Sequence, residues 1–185
     1  MVASAAGIIG AHGVDAASFT AVLADSRAPR GSIYYYFPSG KRQLVEDAVR
    51  WTSALVLDHQ RACSARTAAG VLAHFLEFFR RSVVSSRCRT GCPLAAVAIG
   101  SYSEEELLAR VVRSSFQRWI SLLARQLRAR GVRAAAAQEL AVTALASIEG
   151  ALILCRAAGG VEPLDTVGRQ LRRLATSSPR DRRAH

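Results

Sequence analysis

Between residues 104 and 130 the apolar side chains Leu108, Val111, Val112, Phe116, Trp119, Ile120, Leu123 and Leu127 recur at helical spacing, on a stripe wide enough to face two neighbours. That period continues through most of the chain, with few alternating β-branched stretches. The fold class it predicts is all-α. Glycine, proline and serine clusters punctuate the pattern at 13–15, 26–27, 38–40, 62–66, 87–93, 100–103, 131–133, 159–163 and after 177. They divide the chain into about nine helices.

The first three helices are expected to be short. One of roughly 12 residues ends at His12–Gly13. The second starts at Ser18 as N-cap and runs to about Asp25. The third starts at Pro29 and stops before Pro38. Two short helices around a tight turn form a helix-turn-helix pattern. Ser39 is then expected to cap a long helix to about His59, with Leu44, Val45, Ala48, Trp51, Thr52 and Leu55 inward. Helices at 67–86, 104–130, 134–158 and 163–175 follow, and Gly91-Cys92-Pro93 shapes the turn into a short one between the first two of these.

Half of the 185 residues are hydrophobic, enough to build a core. No apolar run reaches the roughly 18 residues expected of a membrane span, and Met1–Gly10 lacks a basic segment ahead of it, so it reads as a helix rather than a signal peptide. Four irregularly spaced cysteines suit reduced thiols in the cytoplasm. The net charge is +11. Within 1–60, however, Arg27, Arg30, Lys41, Arg42 and Arg50 balance Asp15, Asp25, Glu46, Asp47 and Asp58. The excess lies at 61–130 and after 168, so bulk charge does not point to the N-terminal segment as a nucleic-acid reader.

The run Ala28–Lys41 does point there. A helix reading a major groove presents polar, reaching side chains near its start. Arg30 can reach a guanine edge or a phosphate, and Gly31 and Ser32 allow close approach. Tyr34, Tyr35 and Tyr36 distribute three hydroxyls around the helix, one of them expected inside with Phe37. Ile33 and Phe37 anchor inward. Ser18 and Thr20 open the second helix, where backbone N–H groups can meet a phosphate, and Lys41 stands in the first turn of the fourth.

The motif Gly31-Ser-Ile-Tyr-Tyr-Tyr-Phe-Pro-Ser-Gly-Lys41 resembles the signature that ends the DNA-binding domain of TetR-type regulators, and the resemblance runs from about Ala3 to Trp51. Gly91-Cys-Pro-Leu-Ala-Ala-Val-Ala98 and Ile148-Glu-Gly-Ala-Leu-Ile-Leu154 are similar to the LmrA/YxaF-like branch. The resemblance implies nine helices, a homodimer formed through the last two long ones, and a drug- or flavonoid-like effector. The expected organisation is a helix-turn-helix domain at 1–45, an effector and dimerisation domain at 46–176 and a disordered basic tail at 177–185. The expected function is a ligand-released repressor on a near-palindromic operator.

Two departures from the pattern carry expectations. The family usually has a basic arm and more of helix 1 before the segment that opens here, so either the true start lies upstream or the arm is lost; a lost arm predicts fewer phosphate contacts. Arg27 stands where the helix-turn-helix turn usually has glycine, which predicts strain if that position needs a positive φ.

Phe75, Phe79, Phe116 and Trp119 are the candidate effector contacts, with plain core packing as the alternative for each. Cys88 and Cys92, with His74, lack a diagnostic zinc spacing. The histidines at 12, 59, 74 and 185 are scattered, and no nucleophile, carboxylate pair or phosphate loop accompanies them. Neither a cofactor nor an enzyme activity is expected. The competing reading is a helical dimer that binds a hydrophobic ligand and has lost specific DNA recognition.

Overall fold

The computed structural model describes residues 1–100 and 106–177. Its described residues form the helices α1 (Val2–His12), α2 (Phe19–Ser26), α3 (Ser32–Tyr36), α4 (Lys41–Arg61), α5 (Ala68–Ser85), α6 (Pro93–Ile99), α7 (Glu106–Arg128), α8 (Ala134–Ala158) and α9 (Glu162–Ser177), with no strand among them. The expected helix start at Glu104 and most of the expected basic tail lie outside the described residues.

The chain divides into two compact units: residues 1–55 with 90–116, and residues 56–89 with 117–185. Helices α4 and α7 supply residues to both.

In the first unit, Ala5, Ala6 and Ile9 of α1, Val22 of α2, Ile33 of α3, Leu44, Val45, Ala48 and Val49 of α4, and Leu94 and Val97 of α6 are buried. Helix α1 packs on α6 at a point only glycine allows. A Cβ on Gly10 would lie 2.7 Å from the Gly91 carbonyl oxygen. The same approach lets the Gly91 N–H donate to Gly10 O at 2.8 Å. Proline at the first position of α6 fits its missing N–H.

Trp51 and Leu55 depart from the expected inward stripe of α4: they are 40% and 39% exposed, while Leu44, Val45, Ala48 and Thr52 are buried as expected. At 100° per residue, Trp51 and Leu55 sit on the edge of the stripe. Helix α4 also begins later than a Ser39 cap predicts. Gly40, at φ 78°, supplies the first carbonyl to Leu44 N–H, and the Gln43 side chain accepts from Ser39 N–H at 3.1 Å.

In the second unit, α5, α8 and α9 pack on one another. Thr67 caps α5 by accepting from Gly70 N–H at 3.1 Å. Leu140, Leu145, Ile148, Leu152 and Cys155 form the buried face of α8, with small residues Ala137, Ala141, Ala144 and Ala151 between them. By length and composition α8 is apolar enough to cross a membrane, and 44% of its apolar stretch is buried against its neighbours. Gly168 of α9 sits against Leu76 of α5, and one turn away Arg80 Nε donates to Asp165 at 2.8 Å. The guanidinium holds the Asp165 carboxyl below the usual carboxylate range, through the hydrogen bond first and its charge second.

Candidate nucleic-acid interface and ligand-sensing core

Ser18 caps helix α2, its Oγ accepting from Ala21 N–H at 3.1 Å. The first N–H groups of α2, from Phe19 and Thr20, remain at the exposed start of the helix. Helix α2 ends at Ser26, and Arg27 follows in the left-handed conformation, φ 54° and ψ 26°. The glycine position of the motif thus requires a positive φ, and Arg27 adopts it against the Cβ clash that disfavours it.

The third helix is shorter than expected. Pro29 to Gly31 form a turn, in which Pro29 O accepts from both the N–H and the Oγ of Ser32, and α3 starts only at Ser32. Arg30 and Gly31 therefore lie on the turn ahead of the helix, both exposed. Ile33 and Phe37 are buried and fix the helix from below.

None of the three tyrosines is inside, contrary to the expected buried one. Tyr34, Tyr35 and Tyr36 are 70%, 81% and 58% exposed. Phe19 of α2, itself half-buried, lies 6.4 Å from Phe37 and meets the Tyr34 ring edge-on at 5.5 Å. Tyr35 and Tyr36 meet edge to face at 5.3 Å. A five-residue helix with two inward anchors leaves no inward direction for a third large ring.

Lys41 Nζ donates to Asp15 O at 3.1 Å, which ties the start of α4 to the α1–α2 loop. Arg50 is engaged by Glu46 at 2.6 Å. Partial burial, with the Glu46 charge beside it, pushes the Asp47 carboxyl up from its usual value. Arg27, Arg30 and Arg42 are exposed.

Three of the four candidate effector contacts lie together in the second unit. Phe75 and Phe79 of α5 meet edge to face at 5.4 Å, and Phe79 meets Trp119 of α7 at 6.1 Å. All three are buried. Phe116 belongs to the first unit and is half-buried. A separate cleft of about 380 Å³ at the end of α7 is lined by Arg125, Arg128, Ala129, Val132 and Ala134. Its arginine-bearing rim does not suit an apolar compound.

Sequence spacing did not signal the way α4 ends. His59 and His74, fifteen residues apart on α4 and α5, stack with centroids 4.0 Å apart and planes at 3°. Each ring nitrogen Nε2 meets the other's backbone carbonyl, at 2.8 and 2.7 Å. A carbonyl only accepts, so both Nε2 atoms carry the proton. Burial holds the His59 imidazole below the usual 6.5, against the hydrogen bond to the His74 carbonyl. Gln126 Nε2 of α7 donates to Gln60 O at 2.6 Å and Arg130 to Ala65 O at 3.0 Å. Cys88 and Cys92 fall in different units, and all four cysteines are free thiols.

The model of the bacterial regulatory proteins of the tetR family matches residues 2–48, and the model of the transcriptional regulator LmrA/YxaF-like C-terminal domain matches residues 68–170. The chain is 38% identical over 181 residues to an uncharacterized HTH-type transcriptional regulator of Mycobacterium tuberculosis, covering 94% of this chain and 91% of the relative. It is 29% identical over 147 residues to the HTH-type transcriptional regulator LmrA of Bacillus subtilis, 77% of each chain. Among solved structures, a TetR transcriptional regulator from Legionella pneumophila superposes with a TM-score of 0.82 at 22% identity, covering 94% of both chains. The TetR family regulator CifR, solved with a 26bp double-strand operator DNA, superposes at 0.77 and 18% identity, over 96% of this chain and 94% of that one. By its full-length relatives and both family matches, the chain belongs to the TetR family of bacterial transcriptional regulators, with a C-terminal domain of the LmrA/YxaF-like type.

Proposed function

We propose that the chain is a homodimeric repressor that reads a near-palindromic operator with its helix-turn-helix and is released by a small hydrophobic effector. The observation that carries this reading is the exposure of Tyr34, Tyr35 and Tyr36 beside Arg30. Three adjacent aromatics, each more than half exposed, add little to a core. They are suited to phosphate contacts through their hydroxyls and to thymine methyl groups through their rings. Gly31 and Ser32 admit the duplex, Ser18 and Thr20 offer N–H groups to a phosphate, and Lys41 and Arg42 open α4 beside them.

Exposed apolar residues of α8 and α9, Val142, Ile153, Leu154 and Leu174, support the dimer as the face for a second copy. Two copies place two reading helices about one DNA turn apart. The neighbour CifR was solved on operator DNA, and the shared fold supports the same use of the N-terminal helices here. The functional division is a DNA-reading segment at 1–45 and an effector and dimer segment at 46–176, in a cytoplasmic protein that acts by binding rather than turnover. Phe75, Phe79 and Trp119 form the apolar wall of the effector region, with Phe116 a further candidate on the same helix as Trp119. The effector acts by favouring one of two positions of α4, and only through a difference in its affinity for them.

Fluorescence anisotropy on DNA from just upstream of the chain's own gene, against scrambled DNA across a salt series, tests the reading. Specific binding that survives near-physiological salt is expected. Equal binding to both DNAs that vanishes with salt leaves only counterion release and turns the assignment toward a ligand-binding dimer.

A further inference from the structure

Helix α3 is little more than one turn, and so short a helix does not hold its own shape in water. Three supports hold it. Ile33 and Phe37 are buried beneath it. At its front, Pro29 O accepts from the N–H of Ser32 at 3.0 Å and from its Oγ at 2.6 Å. The third support is the side chain of Gln43, in the first turn of α4. Gln43 Nε2 donates to Tyr36 O at 3.1 Å, and Gln43 Oε1 accepts from Ser39 N–H at 3.1 Å. These partners fix which end of the amide is which, because a carbonyl only accepts and a backbone N–H only donates.

The supports differ in kind. Apolar burial is non-directional, so Ile33 and Phe37 decide which face of α3 turns inward without fixing its angle finely. A hydrogen bond is directional. Tyr36 is the last residue of α3, and its carbonyl is one of those that a helix end leaves without an internal partner. Gln43 takes that carbonyl and ties it to α4. The Tyr36 ring meets the Tyr35 ring edge to face at 5.3 Å, so a hold on the Tyr36 backbone also bears on Tyr35, the most exposed of the three tyrosines. Lys41 ties the same turn of α4 to Asp15 O at 3.1 Å. The end of α3 and the α1–α2 loop are thus both fastened to the start of α4.

We propose that Gln43 is a positioning residue for DNA reading: by holding the Tyr36 carbonyl it fixes the angle at which α3 presents Tyr35 and Tyr36 to the duplex. The inference rests on the DNA-reading proposal above and adds to it a residue that acts through the tyrosines. Contacts to base edges carry sequence information and depend on geometry, whereas non-specific binding depends on charge. A loosened α3 therefore loses preference for its site before it loses affinity for DNA at large. One hydrogen bond of this kind corresponds to about two- to tenfold, and a dimer on two half-sites meets the loss twice.

Two substitutions separate positioning from helix capping. Gln43→Met keeps the length of the side chain and loses both hydrogen bonds. Gln43→Glu keeps an acceptor for Ser39 N–H and adds negative charge at the start of α4, which favours that helix, but a carboxylate has no donor for Tyr36 O. Anisotropy of the full chain on the upstream DNA and on scrambled DNA gives a ratio of affinities in which a uniform charge effect cancels. Both variants are expected to lose at least about fivefold of that ratio, while Gln43→Glu melts no lower than wild type. Hydrogen exchange of the free protein reads the same hold without DNA. The amides of Phe37 and Gly40, which bond Ile33 O and Phe37 O, should exchange at least about threefold faster in Gln43→Met, with those of α8 unchanged. A ratio kept within about twofold of wild type in Gln43→Glu makes Gln43 a helix cap alone and overturns the assignment. Unchanged exchange at Phe37 and Gly40 in Gln43→Met overturns it as well. Should Gln43→Met fold poorly, Gln43→Glu carries the comparison. A wild type with no preference for the upstream DNA removes the DNA-reading proposal and this role with it. A wild-type preference that both variants keep removes the role of Gln43 alone.

Discussion

The chain uses aromatic residues in two opposite ways. Tyr34, Tyr35 and Tyr36 are largely exposed on a five-residue helix, whereas Phe75, Phe79 and Trp119 of the long helices are buried and meet edge to face. The first group contributes little to folding, since its rings bury little area. The second contributes a large share of the core of its unit. Conservation of shape is therefore demanded in one region and chemistry at a surface in the other. Substitutions can be expected to separate the two: loss of stability without a specific change in recognition for the buried set, and the reverse for the exposed set.

The largest effect is predicted for Trp119→Ala. Removing a fully buried indole costs about 3–5 kcal/mol, which denaturant unfolding of the variant would show as a lower midpoint. An unchanged midpoint would mean that the second unit is loosely packed around the ring. Next comes Gly10→Ala. Its Cβ would overlap the Gly91 carbonyl oxygen, which is backbone and cannot swing away, and overpacking of this kind costs about 1–3 kcal/mol. A thermal melt equal to wild type would place α1 and α6 farther apart than described. The reading head also stores strain, and Arg27→Gly is expected to stabilise the protein by about 1 kcal/mol by releasing the left-handed arginine. A destabilised variant would show that the arginine side chain contributes more than its backbone costs.

The smallest effect concerns pH. The folded state holds the His59 imidazole below its usual 6.5, so the unfolded chain takes up a proton more readily. The contribution of neutral His59 is present above 6.5 and is lost as pH falls through that value. Melting temperature should therefore drop as pH falls below 6.5 toward the lowered folded-state value, and drop less in His59→Gln. Parallel curves for the two proteins would remove the stacked pair as the cause.

The nine-helix pattern was legible because apolar spacing and glycine–proline breaks act locally, and α8 falls on the expected 134–158. The positive φ at Arg27 was also legible, since the motif fixes the turn. The late start of α3 was not, because the hydrogen bonds from Ser32 to Pro29 close a turn where proline alone suggested a first helical residue. The exposure of Trp51 and Leu55 was missed because hydrophobicity gives a face and not its edges. At the candidate sites, the identity of the reading residues came from the motif, while their outward direction came from Ile33 and Phe37 filling the inward places of a five-residue helix. Phe116 fell outside the trio because α7 contributes to two units, a division that periodicity does not mark. The His59–His74 pair depends on contacts between helices distant in sequence, and no local pattern signals it.

The central claim is that the exposed tyrosine helix reads DNA and does not hold the fold. Its most direct test pairs a thermal melt with anisotropy on the upstream DNA for a variant carrying Arg30→Ala and Tyr35→Ala. The account predicts a stability within about 0.5 kcal/mol of wild type and specific affinity lower by at least about tenfold. Wild-type affinity in a normally folded variant would contradict it and leave the tyrosines without a role in recognition.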